Sequence, residues 1–165
     1  MYEIEICPVK RLYLYAEEGD MSNVAAILVS SYEINQEKLK GIGHTLCLNF
    51  ADVTSAMDHA AFSPNTAAKI ANFVKALPAQ TDTLFVCCDS AESRSTAMAA
   101  AIMRFHGIDE SKIWQNPYYH PNTFVYRLLC EALGVPVSNV ELQAKQRMNE
   151  KAFSDAIKQA RKGIK

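Results

Sequence analysis

The chain predicts an α/β fold: a mainly parallel central sheet of four to five strands with helices on both faces. Short runs rich in β-branched and aromatic residues recur at EIEIC (3–7), VAAILVS (24–30), TLCLNF (45–50) and TLFVCC (83–88), separated by segments with helical spacing. The centres of the later runs are apolar on consecutive residues, as expected of strands covered on both sides and joined by helical crossovers. At 165 residues, 49% of them hydrophobic and 21% charged, the chain is long and apolar enough for one sizeable core, which predicts a single domain over 1–165.

Taken in order, Pro8 suits a first helical residue, and a helix from there to Glu18 would end before Gly19. Residues 34–40 predict another short helix. Ser63 and Pro64 form a cap and first-turn pair, after which Ala67, Ile70, Phe73, Val74 and Leu77 share one helical face, with Pro78 as the stop. RSTAMAAAIMRFHG, after the fourth strand, is an Ala- and Met-rich helix ending at Gly107. Pro121 and Asn122 start a helix whose Phe124, Val125, Leu128, Leu129 and Ala132 make an apolar stripe expected to pack beside it. The polar stretch at 139–163, with Leu142, Met148, Phe153, Ile157 and Ile164 thinly spaced through the tail, predicts a docked surface helix.

Composition excludes several function classes. Seventeen Lys plus Arg against 18 Asp plus Glu leave a net charge of -1, so no nucleic-acid or anionic-membrane partner is expected. The five cysteines, Cys7, Cys47, Cys87, Cys88 and Cys130, are odd in number and lack zinc spacing, which fits free thiols in a reducing compartment. His44, His59, His106 and His120 are not grouped at ligand spacing, and neither metal nor cofactor is expected. No run approaches about 18 apolar residues, and the start lacks the order of a secretion signal, so a cytoplasmic location is expected.

The chemistry concentrates at LFVCCDSAESRS (84–95). A loop of this length between a strand and a helix can turn its backbone N–H groups onto one point, to which the helix adds its positive end. An oxyanion would sit there. Asp89, Ser90, Ala91, Glu92, Ser93 and Arg94 would form the oxyanion cradle, with Arg94 offering a planar fork of donors. Cys88 at its base would feel the same field, which favours thiolate over thiol. Cys87, one residue earlier in the strand, should face the other way, and Cys47 on another strand is a candidate redox partner. Asp89 and Glu92 place two carboxylates on the rim, which disfavours polyanionic ligands; if the bound oxyanion is a phosphate, a singly phosphorylated protein side chain or a small phosphate ester fits best.

CDSAESRS resembles the phosphate-binding loop of the cysteine-dependent protein tyrosine phosphatases, in the compact dual-specificity-like form found in bacteria. Cys88, Arg94 and Ser95 match the family pattern, while Cys87 stands at its His position and Ala91 at its Gly position. An alanine there costs about 1 kcal/mol if its φ is positive. HPNTFVYRLL (120–129) resembles the Pro-Asn helix found downstream in the same family. The resemblance implies hydrolysis of phosphate monoesters through a phosphocysteine: Cys88 as nucleophile, Arg94 as oxyanion clamp, Ser95 as the hydroxyl that stabilises the departing thiolate, and Asp52, directly after the third strand, as general acid. Asp58, further into the same loop, is the alternative acid, and Asn122 either orients water, braces the loop or caps its helix. The competing functions are a module that captures a phosphorylated ligand without cleaving it, and sulfur transfer or arsenate reduction at the same cysteine.

Overall fold

The computed structural model describes residues 1–55, 57–58 and 60–162; His59 and Ile164 lie outside the described residues. In chain order the elements are β1 (Glu3–Pro8), α1 (Val9–Glu18), β2 (Met21–Val29), β3 (Ile42–Leu48), α2 (Pro64–Lys75), β4 (Thr83–Cys88), α3 (Arg94–Phe105), α4 (Ser111–Trp114), α5 (Thr123–Leu133) and α6 (Asn139–Lys162). The four strands form one wholly parallel sheet in the order β1-β4-β2-β3. Each expected strand is present, and the sheet has four, the lower of the expected numbers.

Alternation along the strands divides the core in two. On one face Ala25, Ile27 and Val29 of β2 and Leu84, Val86 and Cys88 of β4 pack with α2, α3 and α5. On the other, Ala26, Leu28, Cys7 and Cys87 pack with Val9 and Leu12 of α1. The strand centres read as continuous apolar runs because both faces are covered. Helix α3 lies deepest: Ala97, Ala99, Ala100 and Ala101 are all fully buried, and side chains this small let it approach β1, β4 and α5 closely.

Element boundaries shift from the sequence reading for local reasons. Pro8 is the last residue of β1 and the extended N-cap of α1, so the helix begins one residue later. The 34–40 segment is only a 3₁₀ turn, Gln36–Leu39, capped by the Asn35 side chain on the Glu37 N–H. Strand β3 stops at Leu48, and the chain then leaves the sheet, with the Ala51 N–H bonding the Ala60 carbonyl 2.7 Å away. Ser63 caps α2 with Pro64 in its first turn, as its sequence predicts. Asn122 is the N-cap of α5, whose first helical residue is Thr123.

Gly43 marks a close approach on β3. The register of β2 against β3 shifts between Met21 and Ala25, the stretch that holds Ser22. A Cβ on Gly43 would overlap the Ser22 carbonyl oxygen and press on that of Val24. Gly43→Ala should therefore lower the stability by about 1–3 kcal/mol, the usual range for an overpacked site. Urea unfolding measures this, and an unchanged midpoint would show that the edge strand yields freely.

Candidate active site

Three strands deliver their C-terminal ends to one place, the edge at which parallel sheets bind ligands. Strand β4 ends in Cys88, β2 runs into Ser30 and Ser31, and β3 runs into Phe50 and Asp52. Loop 89–93 then enters α3, whose first residue is Arg94.

Two carbonyls of the loop, those of Glu92 and Ser93, are tied outward. The Glu92 carbonyl accepts from the Thr96 hydroxyl and the His120 N–H, both at 2.8 Å. The Ser93 carbonyl accepts from Thr96 Oγ1 at 2.8 Å and from the N–H groups of Ala97 and Asn122. A trans peptide points its N–H opposite to its C=O, so outward carbonyls aim the following amides inward. No N–H from Ser90 to Ser93 finds an acceptor among the described residues. Ala91 makes the turn possible with φ at 61°, a left-handed conformation unusual for a residue with a Cβ and found at the position where the resembled loops carry glycine.

Cys88 and Ser95 are both buried, with Sγ and Oγ 3.1 Å apart. Arg94 is only 6% exposed. Its Nη1 donates to the Phe50 carbonyl at 2.8 Å and to Ser31 Oγ at 3.2 Å, and its Nη2 pairs with Asp89 Oδ2 at 2.7 Å. Its Nε, equally buried, has no partner among the described residues. A buried guanidinium N–H left unpaired is costly, which marks this atom as one that a ligand would satisfy.

Asp89 corrects the sequence reading of the rim. Its carboxylate is turned onto Arg94 and also accepts from Ser30 Oγ at 2.7 Å and the Ser31 N–H at 3.0 Å, whereas Glu92 is exposed. Burial raises the Asp89 carboxyl, but the bonds from Ser30, Ser31 and Arg94 outweigh it and hold the group below the ordinary carboxylate range. Ser90 is exposed, and the Ser93 side chain leaves the cradle to donate to Asp52 Oδ1 at 2.9 Å.

Asp52 is joined to the site by that bond and by Asn122 Nδ2, 2.7 Å from the same oxygen. Asn122 also donates to the Val53 carbonyl and accepts from Phe124 and Val125, so one buried side chain both caps α5 and braces the loop that carries Asp52. Asp58 instead closes a local turn on the Ala60 N–H and is exposed.

Cys87 faces away from Cys88, as alternation requires, with its sulfur 3.5 Å from that of Cys7. The Cys7 sulfur against it, together with burial, pushes the Cys87 thiol well up. Cys47 packs on that same far face, so the structure does not bring it to Cys88. Among the described residues no group of His, Cys, Asp or Glu could hold a metal ion. The residues that sequence reasoning missed are Ser30, Ser31 and His120. Ser30 and Ser31 could have been suspected as polar residues at the end of an inner strand, but His120 acts through its backbone and leaves no signal.

No family model and no curated protein matches the chain. It is similar to phosphatases of known structure. The crystal structure of Tk-PTP in the active form has 14% identity and a TM-score of 0.46, covering 89% of this chain and 90% of that one. Human DUSP28 has 14% identity and a TM-score of 0.46, over 93% and 94% of the two chains. PTPMT1 has 16% identity and a TM-score of 0.45, over 94% and 95%.

Two measurements follow from this geometry. Ala91→Gly removes a Cβ from a left-handed position and should raise the stability by up to about 1 kcal/mol, part of the gain being offset by the freer unfolded chain. Thermal unfolding checks it; a loss of stability would contradict the positive φ. The second concerns pH. Because folding depresses the Asp89 carboxyl, its contribution is complete above the unfolded value of about 3.9 and is lost as pH falls through the lower folded value. The stability difference between wild type and Asp89→Asn should thus be largest near neutrality and shrink below about pH 4. A difference that stays constant with pH would remove the ionic role of Asp89.

Proposed function

We propose that this protein hydrolyses phosphate monoesters through a covalent phosphocysteine. The observation that carries the proposal is the loop after Cys88, in which the Glu92 and Ser93 carbonyls are tied outward and the buried Arg94 keeps an Nε with no partner among the described residues. The Cys88 thiolate attacks phosphorus, and the ester oxygen departs with a proton from Asp52. The loop amides and Arg94 hold the equatorial oxygens as charge builds on them. Water activated by the Asp52 carboxylate then attacks the phosphocysteine, releasing phosphate and the Cys88 thiolate, which accepts the Ser95 hydroxyl as a donor. Asn122 and Ser93 fix the orientation of Asp52.

The substrate in this reading is a phosphorylated protein side chain or a small phosphate ester, since the cradle carries a single arginine whose charge is already shared with Asp89. The same ion pair favours a second reading, capture of an oxyanion without turnover, because it occupies Nη2, one of the donors that a transition state would use. Localisation in a reducing compartment such as the cytoplasm fits the five free thiols.

Hydrolysis of an aryl phosphate, followed across pH 5 to 8, tests the proposal. Cys88→Ser should abolish turnover, and Asp52→Asn should lower kcat by about 10²- to 10⁴-fold, the usual contribution of a general acid. Wild-type protein no faster than the serine variant overturns hydrolysis, and phosphate or vanadate binding in its absence selects capture.

A further inference from the structure

Helix α6 contributes no fully buried residue; Leu142 packs at the edge of the main core, and several of its other contacts with the rest of the molecule are polar. One of the polar contacts is that of Asn149, half-buried in the middle of the helix, where asparagine is a poor helix former. The two hydrogens of its side-chain amide are shared among three backbone carbonyls at and after the end of α4, Tyr119 at 2.8 Å, Trp114 at 3.2 Å and Asn116 at 3.3 Å. The first of these is the shortest and the most consequential.

The Tyr119 carbonyl and the His120 N–H are the two ends of one peptide unit, and that N–H donates to the Glu92 carbonyl at 2.8 Å. The Glu92 carbonyl in turn shares a peptide unit with the Ser93 N–H, one of the cradle amides without an acceptor among the described residues. The structure contains no cis peptide bond among the described residues. Each trans unit therefore passes the direction of the hydrogen bond on: Asn149 to Tyr119–His120, then to Glu92–Ser93, then into the cradle. Hydrogen bonds in series polarise one another, so the Ser93 amide at the end becomes both better aimed and a stronger donor. The edge-to-face contact of His120 with Phe153, centroids 5.3 Å apart, ties the same segment to α6 one turn further on.

We infer that Asn149 is a positioning residue for the oxyanion site, acting through two peptide units to orient the Ser93 amide. The inference rests on the reading of loop 89–94 as an anion cradle. Lys151, on the same helix, pairs among the described residues only with Asp155 at the surface and provides the control.

The test measures iodoacetamide alkylation of Cys88 in the full chain with increasing inorganic phosphate, alongside the backbone amide NMR spectrum. In Asn149→Ala, which removes the three bonds while favouring the helix, the phosphate needed for half-protection should rise about three- to tenfold. The Ser93 and His120 amide resonances should shift, and Lys151→Ala should change neither. Half-protection within twofold of wild type overturns the inference. If phosphate fails to protect even the wild type, the anion-site reading falls, and a Ser93 resonance unmoved by the substitution then overturns the relay on its own. Asn149→Asp, the same size but without the donors, provides the same readouts should the alanine variant not fold.

Discussion

Arg94 is the constraint on which the site depends. A guanidinium that is only 6% exposed must be surrounded by acceptors, because an unpaired buried charge would outweigh most of what a fold of this size gains. Its partners come from the ends of β2 and β3 and from the loop that follows β4, so satisfying one side chain fixes three strand ends relative to one another. Satisfaction stops one atom short. Nε keeps its hydrogen unpaired in the described structure, on the side chain that begins the helix behind the cradle.

The cradle is built as much by what its carbonyls do as by what its amides offer. Thr96, His120 and Asn122 hold the Glu92 and Ser93 carbonyls from behind, and without them a loop carrying Ala91 at positive φ would have a cheaper conformation to relax into. Left-handed strain of this kind persists only where the surroundings over-determine it. The bracing segment also holds Asp52 through Asn122, so the proposed acid and the proposed cradle share one support. A disturbance of residues 114–122 should reach both halves of the chemistry together.

Much of the fold was legible in the sequence because its signals are local. Apolar runs gave all four strands, the Ser63-Pro64 pair gave the start of α2, and two-residue alternation gave the opposed faces of Cys87 and Cys88. The contact of Cys88 with Ser95 and the place of Arg94 at the start of α3 were legible for the same reason, since strand, turn and helix follow within a dozen residues. Contacts that depend on sheet order were not. Nothing local says that β2 lies next to β4, which is what brings Ser30 and Ser31 to Asp89 and turns that carboxylate inward when composition suggested a solvent-facing rim. Cys47 failed as a partner for Cys88 because its place on β3 puts it on the far face.

The charge balance explains why geometry has to be so tightly held here. Around the cradle stand one guanidinium, the Asp89 carboxylate paired with it, the Asp52 carboxylate bonded to Ser93, and Glu92 at the surface; among the described residues no lysine is hydrogen-bonded to the site, and Lys10 only lines the adjoining pocket with Ser30 and Asp89. Long-range attraction is therefore weak, and at ordinary salt it is screened within about 10 Å. Whatever holds an oxyanion at Cys88 must come from short-range donors, chiefly backbone N–H groups and the α3 N-terminus. Such dipoles act only when aimed, so oxyanion affinity in the proposed site would be governed by loop conformation more than by net charge. That places the decisive influence in the bonds to the outward carbonyls and, through His120, in a helix far along the sequence.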